Sequence, residues 1–349
     1  MMKLRLRAYE FRSLTAISEK VFFNYRIHLI YVAMKKNLFL YVLTLLFLFV
    51  IPSQVYADDY FKRGDTNGDS IVSITDVTTL IGFLLSGQWP DGQNTTPPAE
   101  IKPFVVNNIP FKMIYVEGGR FVMGNATDYS NSSTPAASEI RLYEQPAHQV
   151  QVSSFYIGET EVTQELWLAV MGENPSKFTA ANGYYDNLTR PVENISWDDC
   201  QEFIAKLNEM TGLNFRLPTD AEWEFAALGG TKSMGFTYSG SNTANDVAWY
   251  SGNNGAYNSF EYGTKAVATK APNELGIYDM SGNVAEWCQD WYAKYSGTAQ
   301  VDPTGPDTGT NKVSRNGSCG ADAFYIRVTR RIGQNPTVKN GYLGLRLAL

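Results

Sequence analysis

Gly276-Ile-Tyr-Asp-Met-Ser-Gly-Asn-Val-Ala-Glu-Trp287 is the stretch on which the fold reading turns. Ser281-Gly282-Asn283 is turn chemistry, and Trp287 and Trp291 mark a buried end. Taken alone, the segment is a turn in which Asn283 and Glu286 tie down backbone beside two indoles. Upstream, Thr219 and Glu222 form a capping box after Pro218, Trp223, Ala226 and Ala227 follow, and Gly229-Gly230 closes the helix. Ser196 and Asp199 form a second box, ahead of an i, i+3, i+4, i+7 face of Cys200, Phe203, Ile204 and Leu207 that ends at Gly212. A further helix is predicted over about 163–171, stopping near Gly172. Residues 113–116 and 121–124 flank Glu117-Gly118-Gly119-Arg120 and predict a hairpin, and 149–152 and 155–157 predict more strand. Beyond Gly230 only turns and short strands are expected. Periodicity thus gives an α+β class.

The 349 residues are 44% hydrophobic and 13% aromatic, which excludes a chain disordered throughout and leaves room for one large domain with appendages. Setting aside the eight cations and two anions before residue 58 leaves 21 cations against 33 anions, a net charge of −12 for 58–349. That surplus of negative charge argues against nucleic acid as a partner.

Residues 1–33 carry no recognisable design and read as a non-structural extension or a mis-assigned start. Residues 34–57 have the layout of a secretory signal: Met34, Lys35 and Lys36, an apolar run over 38–51, then Val55-Tyr56-Ala57. A membrane anchor is the alternative, but the run spans about 21 Å as helix against a hydrocarbon core of roughly 30 Å. The expectation is export to the periplasm, the cell surface or the medium, with no stable membrane span after cleavage.

Asp65, Asn67, Asp69, Ser73 and Asp76 stand at positions 1, 3, 5, 9 and 12 of a loop, with the Ile71 carbonyl at position 7. That is calcium-loop spacing, since a hard cation needs several converging oxygens. Here residues 58–87 resemble one dockerin repeat. The resemblance implies calcium, and cohesin as the partner of a paired dockerin. Ser70 stands where Gly is preferred, and only one repeat is present. A solvated Asp/Asn turn before a helix is the alternative. Residues 88–104, rich in Pro and Thr, read as a linker, and 105–349 as a single domain.

Three cysteines, Cys200, Cys288 and Cys319, lack CxxC spacing, and His148 is the one histidine after the signal, so neither a zinc knuckle nor a His-rich centre is indicated. Val116-Glu-Gly-Gly-Arg-Phe-Val-Met-Gly124, Glu161-Val-Thr163, Pro191-Val-Glu-Asn-Ile-Ser-Trp197, Arg216-Leu-Pro-Thr-Asp-Ala-Glu-Trp-Glu224, the stretch 276–287 and Leu343-Gly-Leu-Arg346 occur in order. As a set they resemble the formylglycine-generating enzyme (sulfatase-modifying factor) family. The resemblance implies an α+β, C-type-lectin-like fold with few regular elements and long loops. It also implies a calcium site built from the Ser281, Gly282 and Val284 carbonyls and the Glu286 carboxylate. The family's enzymes hold copper with a cysteine pair and oxidise a substrate cysteine with oxygen. In the matching stretch Cys319 is alone, and the positions nearest the pair by count are Ala321 and Ile326. Two thiolates are what a linear Cu(I) site needs, so copper is not expected and no catalytic residue beyond a weak Cys319 is assigned.

Leu343-Gly-Leu-Arg-Leu-Ala-Leu349 resembles, more narrowly, the fixed end of diversity-generating retroelement variable proteins. Ahead of it, within a candidate variable region 313–349, Cys319, Gly320, Ala321, Asp322, Phe324, Tyr325, Ile326, Ile332, Gly333, Asn335, Val338, Asn340, Gly341 and Tyr342 are all reachable from an AAC codon by replacing adenines; Gln334 is not. Arg327, Pro336, Gly344 and Arg346 would be scaffold. The expected function is ligand binding, to a protein or glycan, through this surface on a catalytically inactive scaffold. Alternatives are an active formylglycine-generating oxidoreductase, a dockerin-bearing cellulosome-type component, or an ordinary surface with Phe324 and Ile326 in the core.

Overall fold

The structure, a computed structural model, describes residues 101–127, 135–184, 187–257 and 259–349. The signal-like segment, the calcium-type loop with Asp65, Asn67, Asp69, Ile71, Ser73 and Asp76, and most of the linker lie outside the described residues. Strand β1 (Ile101–Val106) begins inside the stretch read as linker.

Ten strands and five α-helices are described. After β1 come β2 (Ile109–Val116), β3 (Gly119–Met123), α1 (Pro135–Tyr143), β4 (His148–Val152), β5 (Phe155–Gly158), α2 (Gln164–Met171), α3 (Trp197–Thr211), α4 (Asp220–Ala227) and α5 (Ala244–Val247). Five strands close the domain: β6 (Ala285–Trp291), β7 (Gln300–Val301), β8 (Lys312–Arg315), β9 (Arg331–Gln334) and β10 (Leu343–Leu345). They form three small sheets, ordered β1-β2-β5, β3-β4-β7 and β10-β6-β8-β9.

Local chemistry explains the three longer helices after β5. The Thr163 hydroxyl accepts from Leu166 N and Gly172 closes α2 at φ 82°. Ser196/Asp199 and Thr219/Glu222 form the reciprocal capping boxes expected of α3 and α4. The predicted face of α3, Cys200, Phe203, Ile204 and Leu207, is buried against Trp167, whose ring stacks on Phe203 at 4.8 Å.

The predicted hairpin of β2 and β3 does not form. The chain crosses between sheets at Gly118, and β4 and β5 cross at Ser153-Ser154, so β2 pairs with β5 and β3 with β4. The two crossings pack together: Gly118 N donates to Ser154 Oγ at 2.9 Å, and a Cβ on Gly118 would lie 2.7 Å from Ser154 N and Val152 O. A glycine is needed there for close approach rather than for a turn. Helices α1 and α5 also fall where no helix was predicted.

The last seven residues run through the middle. Leu343, Leu345 and Leu347 are buried in one core cluster with Val192, Phe203 and Trp287. Leu349 exchanges backbone hydrogen bonds with Tyr156, and Ala348 does so with Arg216, which joins the first sheet to the third. Arg346 points to the opposite side of this strand and meets Glu286, both side chains fully buried: Nη2 lies 2.8 Å from Oε1 and Nε 3.0 Å from Oε2. Trp223 Nε1 donates to Glu286 Oε2 at 2.6 Å, and Arg346 also donates to the Gly158 and Tyr278 carbonyls. One ion pair thereby ties β6, β10, α4 and the end of β5. No helix among the described residues is long and apolar enough to cross a membrane.

Removing one partner leaves the other charge buried and uncompensated. Arg346→Met is expected to lower unfolding free energy by about 3–5 kcal/mol, read from the urea midpoint. The Arg346→Met, Glu286→Gln double variant should lose less than the sum of the two single changes.

Candidate functional site

The segment after β8 is held by one amide side chain. Asn316, at φ 65°, accepts from Gly282 N at 2.6 Å through Oδ1. Its Nδ2 reaches the carbonyls of Gly282 at 2.7 Å and of Asp279 and Val284 at 3.1 Å. These carbonyls include two of the oxygens expected to face calcium. Glu286, the expected carboxylate ligand, is taken by Arg346 and Trp223, and Ser281 Oγ accepts from Ser239 N. The set Ser281, Gly282, Val284 and Glu286 therefore does not fit a cation as arranged: an NH2 group with its own hydrogens occupies the point on which the carbonyls converge, and the one carboxylate of the set faces a guanidinium. The alternative reading, a buried turn tied down beside Trp287, describes this geometry.

Copper does not fit either. Ala321 and Ile326 pack together with Ala244, Val247 and Ala248 in a small apolar cluster flanked by Tyr238 and Tyr250. Carbon thus fills the two positions where the family's thiol pair would fall. Cys319 is buried elsewhere, its carbonyl accepting from Asn254 Nδ2. Burial pushes its thiol up to about 12, against the pull of Lys265 and Arg190, so at neutral pH it is no thiolate. Cys200 and Cys288 are also free and buried, in separate core clusters.

The structure brings part of the predicted surface together. Asp322 caps a short 3-10 turn, Ala323–Ile326, by accepting from Phe324 N. Phe324 and Tyr325 stand edge to face, 5.1 Å between centroids, and are half-buried. Helix α1 braces this turn from below. Tyr325 Oη donates to Glu139, and Glu144, fully buried, takes the Arg327 guanidinium through both oxygens at 2.7 and 2.9 Å as well as the Thr329 hydroxyl. The Arg327 guanidinium also lies 4.2 Å over the Phe324 ring. Beside the turn, Gly320 sits against Tyr262 and Tyr342, whose hydroxyls are 3.1 Å apart. Gly341 abuts Lys177 and Glu193.

The rest of the predicted set behaves differently. Cys319, Ile326 and Gly341 are buried. Ile332 and Gly333 lie on the edge strand β9, paired with Ser314 and Val313, where Gly333 presses on the Tyr292 ring. Val338 packs against the main core, the Asn340 side chain caps its own loop, and Asn335 is an exposed turn residue. As surface, then, the contiguous part is Gly320, Asp322, Phe324, Tyr325 and Tyr342; Ile326 is core, as the alternative reading had it, while Phe324 is not.

A family model described as a sulfatase-modifying factor enzyme 1-like domain matches residues 98–349. The chain belongs to this family. Relatives include chaperone protein LppX of Paenibacillus barcinonensis, 37% identical over 227 residues covering 52% of this chain and 72% of LppX. The formylglycine-generating enzyme of Streptomyces coelicolor is 28% identical over 294 residues, covering 67% of this chain and 88% of that one. Among solved structures, Treponema denticola variable protein 1 superposes with a TM-score of 0.61 at 35% identity, covering 72% of this chain and 99% of the other. The chain spans only 38% of the chlamydial serine/threonine kinases pkn1 that it also matches. The α+β, C-type-lectin-like fold expected from the motifs is thus the fold of this sulfatase-modifying-factor domain.

Within that domain, sequence reasoning missed Glu139, Glu144, Tyr262 and Lys177. For α1 the available signal was Pro135 at the first helical position; the others carried none. Also missed was a buried polar group under Gly341. Glu193 accepts from Phe178 N at 2.8 Å through Oε1, while its Oε2 and the nearby Arg190 Nε have no partner among the described residues. Burial raises the Glu193 carboxyl to about 7, opposed by the Phe178 and Lys177 amides and by Lys177 and Arg190. A carboxyl whose folded value exceeds its unfolded one contributes most at low pH, and that contribution is lost as pH rises through about 7. Glu193→Gln should therefore reduce the stability difference between pH 5 and pH 8 by about 3 kcal/mol, measured by urea unfolding across that range.

Proposed function

We propose that this protein is an exported ligand-binding member of the sulfatase-modifying factor family. On this reading it has no formylglycine-generating activity, and its C-terminal surface is a diversified binding site of the variable-protein kind. The observation that carries the reading is the packing of Ala321 and Ile326 into hydrocarbon beneath a surface turn whose half-buried side chains, Phe324 and Tyr325, are aromatic. The two facts belong together: the positions that would make copper chemistry are apolar filler, and the turn above them, capped by Asp322, is also held by polar and charged anchors outside the variable set. Arg327, Glu144 and Asn316 hold the backbone, so changing Asp322, Phe324 or Tyr325 alters what the surface presents with little effect on the core. Aromatic side chains braced in this way suit a protein or glycan partner, since they offer contact area with little ordering cost. The likeness to Treponema denticola variable protein 1 supports the same reading, and the signal-like segment 34–57 supports export.

Two measurements test it. The purified protein, given Cu(I), oxygen and a sulfatase-motif peptide, should form no aldehyde; turnover that is lost in Cys319→Ser would overturn the reading. Sequencing codons 313–349 and their flanks across a source population should show adenine-linked variation centred on codons 319–326 and 332–342 beside a template repeat. An invariant segment without a repeat would remove diversification and leave a binding surface of fixed specificity.

A further inference from the structure

Phe178, fully buried, is ringed by three tyrosines, with Tyr184 edge-on at 4.8 Å, Tyr342 at 5.9 Å and Tyr262 at 6.2 Å between centroids. Beside the Tyr262–Tyr342 hydroxyl pair the exposed Gly320 leaves a gap, since a Cβ there would lie 2.7 Å from Tyr262 Oη and 3.2 Å from the Tyr342 ring. Gly341 also lacks a side chain, and the atoms nearest to its Cβ position are in Lys177, from 2.8 Å, and Glu193 Oε2, at 3.3 Å. Lys177 is an exposed, flexible chain whose ammonium rests 5.4 Å over the Phe178 ring and 5.8 Å over the Tyr342 ring. Glu193 is fully buried; its Oε1 accepts from Phe178 N, while Oε2 has no hydrogen-bond partner among the described residues. The buried Arg190 Nε and Thr264 Oγ1 have none either. Arg190 donates through Nη1 to the Thr264 carbonyl, and its charge and that of Glu193 act on each other. One free acceptor, one free donor and one free hydroxyl thus stand among these rings, and buried polar atoms left unpaired are costly.

We propose that this is a subsite for a neutral sugar unit, with Glu193 Oε2 accepting one of its hydroxyls, the Tyr342 ring carrying its C–H face, and the residue at 341 deciding whether the subsite is open. The inference rests on the binding reading above and names its ligand class. Two cations, Lys177 and Arg190, act on the Glu193 carboxyl, so an ammonium group meets like charge and a carboxylate, sulfate or phosphate meets the acid. The free atoms call for a group that donates to one and accepts from another; a hydroxyl does both, whereas an apolar side chain leaves them all unpaired. A pyranose ring carries several hydroxyls and an apolar face, which suits half-buried aromatic rings.

Gly341 is what leaves the carboxyl oxygen to a ligand. Its backbone is not in the left-handed region, so other residues can stand there, and a Cβ would have chiefly the Lys177 stem to move. Ser at 341 would bring its own hydroxyl to Glu193 Oε2 and close the subsite from within. A single exchange at a position of the candidate variable set therefore switches the subsite off.

The test begins with the labelled full chain on a printed array of neutral hexose, deoxyhexose and N-acetylhexosamine glycans, with sialylated and sulfated glycans on the same slide. Retention of a neutral glycan is expected, confirmed by a saturable calorimetric titration with the free saccharide. Three variants then place the hit. Gly341→Ser fills the subsite with the chain's own hydroxyl; Glu193→Gln puts an NH2 where the free oxygen stands while its carbonyl still accepts from Phe178 N; Tyr342→Ala removes the ring face. Each should weaken binding at least about tenfold while cooperative melting is retained. Silence across the array, retention of acidic glycans alone, or unchanged affinity in both Gly341→Ser and Glu193→Gln would each overturn the proposal. Its failure is distinguishable from failure of the reading beneath it. A protein partner would leave the array silent yet keep adenine-linked variation in codons 313–349. An invariant segment, together with a neutral-glycan signal lost in Gly341→Ser, would remove diversification and keep the subsite.

Discussion

A guanidinium with no exposure to water must be fully matched or it destabilises the fold that holds it. Arg346 is matched by Glu286 and by the carbonyls of Gly158 and Tyr278, so residues far apart in the chain are fixed to one point. Around that point stand Trp223 from α4, the turn before β6 and the leucines of the final strand. Burial, with the Asp279 charge, holds the Glu161 carboxyl well up, and burial, with the Glu286 charge, raises Asp279 to about 6. The centre of the domain is thus an electrostatic cluster with one indispensable cation, and the apolar clusters are arranged on either side of it.

Turn 279–284 and the loop after β8 fit as they do because Asn316 supplies both hydrogen-bond polarities at once. Its oxygen takes an amide hydrogen and its nitrogen serves three carbonyls. A bound cation could organise the same carbonyls but would have no means of also satisfying Gly282 N. An amide does so without depending on ion concentration, and it sets where the loop leaves β8, hence where Asp322, Phe324 and Tyr325 emerge.

How much of this was legible in the sequence depended on how local each determinant is. Thr163, Ser196 with Asp199, and Thr219 with Glu222 act within four residues, and the helices they cap were placed correctly. The ordered motifs carried the fold class. Strand pairing was not legible: Gly118-Gly119 has hairpin composition, yet Val152 and Ser154, over thirty residues on, claim the space a turn would use. The role of Glu286 was equally hidden, because its partner lies 60 residues away and a carboxylate beside a turn suits a cation as well as an arginine. For the candidate surface, composition found Phe324 and Tyr325 but could not separate them from Ile326, whose burial is set by α5. Helix α1, which holds the surface in place, gave almost no signal.

The position of the final strand has a consequence for any chain whose preceding codons are rewritten. Residues 343–349 supply three leucines to the largest apolar cluster, the arginine at the centre and the backbone partners of Tyr156 and Arg216. A shifted reading frame or a premature stop between residues 316 and 342 removes all of them together. Such a product lacks the means to close its core and is left to proteolysis, whereas an in-frame exchange of surface side chains leaves the seam untouched. If the preceding codons are rewritten as proposed, the closing strand acts as a sentinel on translation: only chains read in frame through that stretch would complete the folded core.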